Sequence, residues 1–531
     1  MLPPERASGQ VEPSSDGGDG AAIVVGGRVL SGGLWNLLAR GLPQLYTLAI
    51  SIAAARFLGL TDFGRQSFIA FVEISIVALI SGGFTTSLTR YVGETLGRRR
   101  PGPLGPLMRW AWRIQMVGAL LGGAILGGAA LLGADPEAAW LIAGAVAIIS
   151  ALQAVPSAIL IGAQRLKAAS LVGLASGTIG TPATIAVLAA GGGIVGMFAV
   201  QAVVSAVNLI LVGILARRMV LELAPLSEPA DDLAHRVLKF SLFTTIGVTL
   251  TLIVWRRSEF LFLEHYSSDA EIGFYSIAFA VMTALILLPE SITGAVSPAF
   301  ASLHGAGATS RLRSGYSRAV RLLLLGSLPL TAAAMALGPS TLGLVYGSDF
   351  RATGPVLTLM LLSFPIVSLS SVSNALMLGL ARVRIPMIVG ISAASVTIGL
   401  NFLLVPALDA LGAALANSGG QVAATLPILV YANREVGPVR WEAGSLLLTA
   451  VASAAGGAAA FAAVAFLGGV AGVALGLLAG AILFTGLAAA FRILPADDVA
   501  WAEQAIGGRL GTLVAATCRR FSARPTVTEG A

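Results

Sequence analysis

The chain has 531 residues, of which 56% are hydrophobic and only 11% charged, and its formal net charge is +7. Soluble domains carry roughly a quarter of charged residues, so this composition excludes a water-soluble globular protein. The basic residues are spread over many connections between apolar segments, and the positive charge therefore does not indicate a nucleic-acid partner.

The apolar segments are long and continuous, which predicts membrane-spanning α-helices and excludes a barrel of alternating strands. The predicted fold class is an all-α polytopic membrane protein with about 14 transmembrane helices. Before the first apolar segment, the Gly-, Ser- and Pro-rich residues 1–27 are predicted to form a disordered cytoplasmic leader. The predicted spans lie near 31–55, 66–88, 109–132, 138–162, 168–190, 194–216, 238–263, 272–298, 318–338, 354–380, 384–406, 411–433, 445–467 and 470–491.

Basic residues recur in every second connection of this series. The second connection holds Arg98–Arg100 and the tenth holds Arg382 and Arg384, whereas the odd-numbered connections are nearly free of Lys and Arg. The exceptions are Arg56, Arg65 and Arg351. Because basic loops stay in the cytoplasm, this pattern predicts a multi-pass membrane protein with both termini cytoplasmic.

A short segment occurs twice. Asp62–Ser67 opens the second predicted helix and Glu271–Ser276 opens the eighth, and both have an acid, an apolar residue, a glycine, two residues and a serine. An even number of helices separates them, so the two halves are predicted to be parallel repeats. The predicted organisation is a leader (1–27), an N-terminal lobe (28–222), a cytoplasmic linker (223–236), a C-terminal lobe (237–433), two additional helices (434–491) and a cytoplasmic tail (492–531).

Polar residues at helical spacing mark candidate cavity positions. Arg40 lies about nine residues from the cytoplasmic end of the first predicted helix, which is ~14 Å deep at the helical rise. Ionisable groups at such depth are costly and usually face a cavity, although snorkelling or a structural ion pair are alternatives. The stripe to which it belongs consists of Asn36, Arg40, Gln44, Thr47 and Ser51.

The seventh predicted helix carries a second polar face. Arg256 and Glu259 are three residues apart and are predicted to pair, with an interfacial anchor as the alternative. Glu73 stands alone among apolar residues of the second helix, which predicts either a salt bridge to Arg40 or Arg256 or a coupling-ion carboxylate. The face of the seventh helix is formed by Ser241, Thr245, Thr249, Arg256 and Glu259.

An ordered set of motifs resembles the polysaccharide (O-antigen repeat-unit type) flippases of the multidrug/oligosaccharidyl-lipid/polysaccharide (MOP) exporter superfamily. The similarity covers nearly the whole chain, and the order of the motifs makes it more specific than any one of them. The motifs are Ala55–Gly64, Arg90–Glu94, Ile272–Ala278, Leu344–Phe350, Asn401–Pro406 and Leu411–Ala416.

The resemblance implies two six-helix lobes in a MATE-like arrangement around a central cavity, followed by two extra helices. It also implies a location in the bacterial inner membrane, alternating access and a lipid-linked oligosaccharide cargo carried on polyprenyl pyrophosphate. In this interpretation Arg40 and Arg256 bind the pyrophosphate, because guanidinium groups form bidentate contacts with phosphate. Asn36, Gln44, Asn374 and Gln421 contact sugar hydroxyls, and Glu73 and Glu259 couple transport to H⁺ or Na⁺. Membrane lipid and other polysaccharide-assembly proteins are the further partners expected.

Other functions of the same fold remain open from the sequence. A peptidoglycan-precursor (lipid II) flippase also moves an anionic lipid. An ion-coupled multidrug exporter moves cargo that is usually cationic, whereas the candidate interior charges here are mixed, with arginine prominent. A membrane polysaccharide polymerase or ligase is less favoured, because such enzymes need a sizeable outer loop and no outward connection is long. The sequence contains no Ser/His/Asp grouping, phosphate-binding glycine loop or Cys/His cluster, so neither enzymatic activity nor a cofactor is predicted.

Overall fold

A computed structural model describes the backbone of residues 18–98, 101–223, 231–255, 258–382, 384–439, 443–494 and 521, and side chains from residue 41 onward except at a few helical positions. These residues form helices joined by short turns: α1 (Gly18–Gly97), α2 (Leu104–Leu131), α3 (Glu137–Gly162), α4 (Leu166–Ala189), α5 (Gly193–Leu223), α6 (Asp231–Trp255), α7 (Glu259–Tyr266), α8 (Asp269–Gly305), α9 (Thr309–Val345), a 3-10 helix (Ser348–Thr353), α10 (Gly354–Gly379), α11 (Arg384–Val436), α12 (Ala443–Leu467) and α13 (Gly469–Phe491). The all-α fold class is thereby confirmed.

Twelve of these helices are long and apolar enough to cross a membrane. Two of them are double, since α1 turns at Gly59 (φ 79°) and α11 turns at Asp409 (φ 49°). Counting both arms of each gives the fourteen crossings that the sequence predicts. Large apolar side chains lie on the outside, with Leu132 at 91% and Phe466 at 90% exposed, which suits lipid contact better than water.

The two turns have local causes. Gly59 has a positive φ that a residue without Cβ adopts at little cost. Asp409 also has a positive φ (φ 49°, ψ −129°), although it is not a glycine and its Cβ disfavours this conformation. Its carboxylate accepts a hydrogen bond of 2.6 Å from the Ser267 hydroxyl, which ties the turn to the α7–α8 connection.

Some helix boundaries differ from the prediction. The helix α1 begins at Gly18, inside the range predicted as leader, and α6 begins at Asp231, inside the range predicted as linker. The seventh span, predicted as one helix, is divided into α6 and α7. At this division the Ser258 hydroxyl donates to the Ile253 carbonyl (2.8 Å), which satisfies an acceptor near the end of α6.

Two compact units are defined by backbone contacts: residues 42–487, and residues 1–41 with 488–531. In the second unit, Leu494 donates a backbone hydrogen bond of 2.9 Å to Phe521. In the first unit, called here the main body, α3 packs on α2 and α5, and α5 packs on α4. A second group is formed by α8, α9, α10 and α11, with α12 against α9 and α6 and α7 against α11. The boundaries assigned to the lobes stay a prediction.

Candidate functional site

The second arm of α1 crosses α8 at two glycines, one from each copy of the repeated segment. A Cβ on Gly64 would overlap the Asp269 carbonyl oxygen, and a Cβ on Gly273 would lie 3.0 Å from the Leu60 carbonyl oxygen. The two contacts are reciprocal, because Leu60 precedes Gly64 as Asp269 precedes Gly273. The helices therefore approach as closely as backbones can, and only glycine fits at this crossing.

One turn further along, the same two helices are joined by a pair of equivalent serines. The Ser276 hydroxyl donates to the Ser67 oxygen at 3.0 Å, and the two residues are 209 positions apart. Both side chains are buried. Equivalent residues that bond to each other lie at a two-fold axis, as in an isologous dimer interface. The repeated segments thus meet at a local pseudo-two-fold axis within the main body.

Charged and aromatic contacts surround this crossing, at what is called here the Gly59 end of the main body. The Arg65 guanidinium bonds the Asp269 carboxylate at 2.7 Å. The Arg56 guanidinium donates to the Val345 carbonyl at 2.6 Å, at the last turn of α9. Arg56 and Arg65, two of the three exceptions to the alternation of basic connections, thus join the predicted N-terminal lobe to the predicted C-terminal lobe. Phe63 adds an edge-on ring contact with Phe350. These contacts close the Gly59 end.

A buried carboxylate lies beside this end, at the start of α7. Glu259 is 0% exposed, so an interfacial anchor, one of the two interpretations of the sequence, does not describe it. Its Oε2 accepts a hydrogen bond of 2.9 Å from the Tyr275 hydroxyl on α8. Its Oε1 accepts one of 3.1 Å from the Asn417 amide on α11. A buried charge is tolerated only when hydrogen-bond donors of this kind satisfy its oxygens.

The hydrogen bonds continue along α11. The Gln421 amide donates to the Asn417 oxygen at 2.9 Å, and the Asn401 amide donates to the Thr397 carbonyl at 3.0 Å. Among the described residues, the Asn401 Oδ1 and Gln421 Oε1 atoms are buried without a hydrogen-bond donor. The Asn401 side chain also lies in hydrogen-bonding contact with Glu259. We call Glu259, Tyr275, Asn401, Asn417 and Gln421 the Glu259 cluster. Its carboxylate can take a proton, and a carboxylate together with free amide oxygens is a set of ligands that hard cations prefer.

Glu73 lies in a separate buried position on the second arm of α1. Its carboxylate is 3% exposed and accepts a hydrogen bond of 3.0 Å from the Gln201 amide on α5. The sequence predicted a salt bridge to Arg40 or Arg256 or a coupling role. The partner that the structure describes is a neutral amide, and this contact does not neutralise the carboxylate charge.

The polar face of α6 packs against α1. The Thr244 hydroxyl donates to the Gly83 carbonyl at 3.0 Å, and Gly83 has no room for a Cβ beside Thr245 and Ser241. The hydroxyls of Ser241 and Thr249 bond carbonyls of their own helix. This face serves helix packing, because small residues on α1 allow close approach.

Sequence comparison identifies the family of this molecule. The family model described as polysaccharide biosynthesis protein matches residues 29–304, which is just over half of the chain. The chain belongs to the polysaccharide biosynthesis protein family. A second family model, MatE, matches residues 246–403. A search of curated protein sequences found no match to this chain.

Solved structures share the fold of this polysaccharide biosynthesis protein. The lipid II flippase MurJ in an inward closed conformation aligns with a TM-score of 0.69 at 15% identity, covering 86% of this chain and 98% of that one. An inward-facing multidrug resistance MATE family transporter of the MOP superfamily aligns at 0.60 and 15% identity, covering 74% and 94%. A Vibrio cholerae MATE transporter in the bent form aligns at 0.52 and 14% identity, covering 78% and 98%. The family model thus confirms the polysaccharide family that the motifs resemble, and these structures confirm the MATE-like fold.

The structure places the other predicted site residues as follows. Asn36 and Arg40 lie on α1 where side chains are outside the described part, and Arg256 lies outside the described residues altogether. Gln44 is exposed on the first arm of α1, and Asn374 is half-buried on α10. Gln421, predicted to contact sugar, is 1% exposed and bonded within the Glu259 cluster instead. Its amide is occupied by Asn417, four residues earlier on the same face.

Sequence reasoning missed the partners of both acids. Asn417 was within reach, since it stands four residues before Gln421 on one helical face. Tyr275 and Asn401 lie in motifs that were noted only for resemblance. No sequence feature marks Gln201 as the partner of Glu73, because the packing of α5 beside Glu73 depends on tertiary structure.

Proposed function

We propose that this family member flips a polyprenyl-pyrophosphate-linked oligosaccharide across the bacterial cytoplasmic membrane by alternating access, for cell-surface polysaccharide biosynthesis. The charge pattern supports a location in that membrane with both termini inside. The family description supports a polysaccharide precursor as cargo. The fold is shared with flippases and transporters, which supports transport rather than catalysis.

The contact between the two repeated segments carries this proposal. Alternating access needs an end that closes in one state and parts in the other. The Gly59 end is closed by a glycine crossing, the Ser67–Ser276 hydrogen bond and the Arg65–Asp269 ion pair. Together with the Phe63–Phe350 ring contact, they join the two predicted lobes, which in this proposal part and rejoin as rigid bodies.

The cargo is anionic, and its charge must be shielded while it crosses the hydrocarbon. Arg40 and Arg256 hold the pyrophosphate in this proposal, since guanidinium groups stay charged at any physiological pH. Asn36, Gln44 and Asn374 bind sugar hydroxyls. Gln421 moves from this set to the Glu259 cluster, because its amide is already bonded there.

Coupling to an H⁺ or Na⁺ gradient is assigned to the buried acids. Glu259 has two donors and neighbouring amide oxygens, and it sits beside the Gly59 end through Tyr275 on α8. Binding of a cation there changes the charge of a buried group next to the helix that forms the crossing. Glu73 with Gln201 is the corresponding site in the predicted N-terminal lobe.

Vesicle reconstitution with a fluorescent polyprenyl-pyrophosphate oligosaccharide tests the cargo assignment. We expect Arg40→Ala to lower the flipping rate at least about tenfold, because it removes a charge-assisted phosphate contact worth about 1.5–3 kcal/mol. Arg311→Ala, at an exposed position of α9, serves as the matched control and keeps the wild-type rate. Wild-type flipping by Arg40→Ala, or transport of lipid II or a cationic dye in preference to the oligosaccharide, contradicts the proposal.

A further inference from the structure

A groove on the lipid-facing side of the main body lies between α2 and α5, away from the Gly59 end. Its volume is about 360 Å³. The helix α5 packs mainly on α3 and α4 and touches α2 only briefly, which leaves the space open. The residues that shape it include Met108 and Trp112 of α2 and Leu209, Gly213, Ile214 and Arg217 of α5.

The groove is apolar along its length and basic at one end. Leu209 and Arg217 are eight residues apart on α5, which is ~12 Å at the helical rise. A Cβ on Gly213 would meet no atom within 4 Å, so the absence of a side chain there leaves the floor of the groove empty. The dimensions and polarity match an acyl chain that ends in a charged headgroup.

The basic end has charge available for a ligand. Among the described residues, the Arg217 guanidinium has neither an ion pair nor a hydrogen bond, and it is exposed. Arg109 and Arg113, next to the two α2 residues of the groove, are also exposed. Glu222 is the acid nearest along α5, and it lies beyond Arg217 outside the lining of the groove. The local charge is therefore complementary to a phosphate.

We propose that this groove binds an anionic phospholipid from the leaflet at that end of α5, which is the cytoplasmic leaflet according to the charge pattern. Arg217 bonds the phosphate, the Trp112 ring lies at the level of the headgroup, and one acyl chain occupies the space over Gly213 between Leu209 and Ile214. Basic pockets between transmembrane helices bind lipid headgroups on the cytoplasmic side in this way. The lining of the groove contains none of the residues assigned to the cargo, and the site does not depend on the identity of the cargo.

Native mass spectrometry of the full chain in detergent tests this site with phosphatidylglycerol and phosphatidylcholine as probes. We expect a phosphatidylglycerol adduct that exceeds the phosphatidylcholine adduct and that falls about fivefold in Arg217→Ala, since one arginine near the headgroup contributes about 1 kcal/mol. Arg218→Ala is the matched control, because it removes the same charge from the next position of α5, outside the lining. Equal adducts for the two lipids, or equal losses in the two variants, overturn the proposal.

A second variant separates the groove from its charge. Gly213→Leu places a side chain in open space, so it fills the floor of the groove while every arginine remains. We expect loss of the phosphatidylglycerol adduct with an unchanged melting temperature. Retention of the adduct in Gly213→Leu contradicts an acyl-chain site. Inorganic phosphate is the final probe, and its displacement of the lipid at equal concentration would show an anion site without lipid recognition and overturn the proposal.

Discussion

Glu259 is a carboxylate placed where water does not reach, and its environment explains why it is tolerated. Tyr275 and Asn417 each donate one hydrogen bond to it, from two different helices. If one partner of such a hydrogen bond is removed, the other stays buried without a partner, and its desolvation destabilises the fold. The residue thus fixes the packing of α7 against α8 and α11, in addition to the coupling role that we propose.

Glu259→Gln separates these two roles. The amide keeps the shape and one acceptor oxygen, so we expect a loss of stability of about 1–3 kcal/mol, measured by thermal unfolding in detergent. We also expect flipping to lose its dependence on an imposed H⁺ or Na⁺ gradient, because the carboxylate charge is gone. Glu264→Gln, at an exposed position of the same helix, is the control and retains both properties. A gradient dependence unchanged in Glu259→Gln would rule out the coupling role.

At the scale of elements, the crossing of α1 and α8 decides how closely the two predicted lobes approach. The sequence indicated the repeat through the common positions of Gly64 and Gly273, and of Ser67 and Ser276. It gave no sign that the two copies touch each other. Contact between repeats depends on tertiary packing, and spacing along one chain carries no information on it.

Gly64→Ala tests the crossing. The added methyl overlaps the Asp269 carbonyl, which cannot move as a flexible side chain would, so the Gly59 end opens more often. In a Cys518→Ser background, we expect a cysteine at position 276 to react with an impermeant maleimide about tenfold faster, since a shift of 1.4 kcal/mol changes a population by that factor. Gly247→Ala, which meets no atom within 4 Å, leaves the rate unchanged. Equal rates in the two variants would show that the crossing does not control closure.

Other elements show how far the sequence determines the fold. Apolar length located the fourteen helical segments that the described residues form when both arms of α1 and α11 are counted, because it follows from the thickness of the membrane. The direction of each crossing, drawn from the basic loops, stays a prediction. The division of the seventh span near Ser258 was missed, since hydropathy is continuous across it. The role of Ser241 and Thr245 in packing was missed as well, because a polar helix face has the same sequence pattern whether it lines a cavity or packs against a glycine.

At the scale of the whole molecule, the single cysteine tests the topology. Cys518 lies in the tail predicted to be cytoplasmic. We expect a membrane-impermeant maleimide to label it only after cells are permeabilised, as measured by a mass shift. In a Cys518→Ser background, Ala134→Cys in the turn between α2 and α3 should be labelled in intact cells. The reverse pattern would invert the topology and with it the direction of transport.

The central claim is that transport requires the Gly59 end to part. Ser67→Cys with Ser276→Cys in a Cys518→Ser background tests it, because the native hydroxyl oxygens are 3.0 Å apart and a disulfide links such neighbours readily. Ser363→Cys with Ser418→Cys, whose native oxygens are 3.3 Å apart between α10 and α11, is the control within one predicted lobe.

The measurement is the rate of oligosaccharide flipping in vesicles before oxidation, after it and after reduction. We predict that oxidation stops flipping by the 67/276 pair, that reductant restores it, and that the 363/418 pair flips at an unchanged rate throughout. Full flipping by the fully cross-linked 67/276 protein would contradict the account.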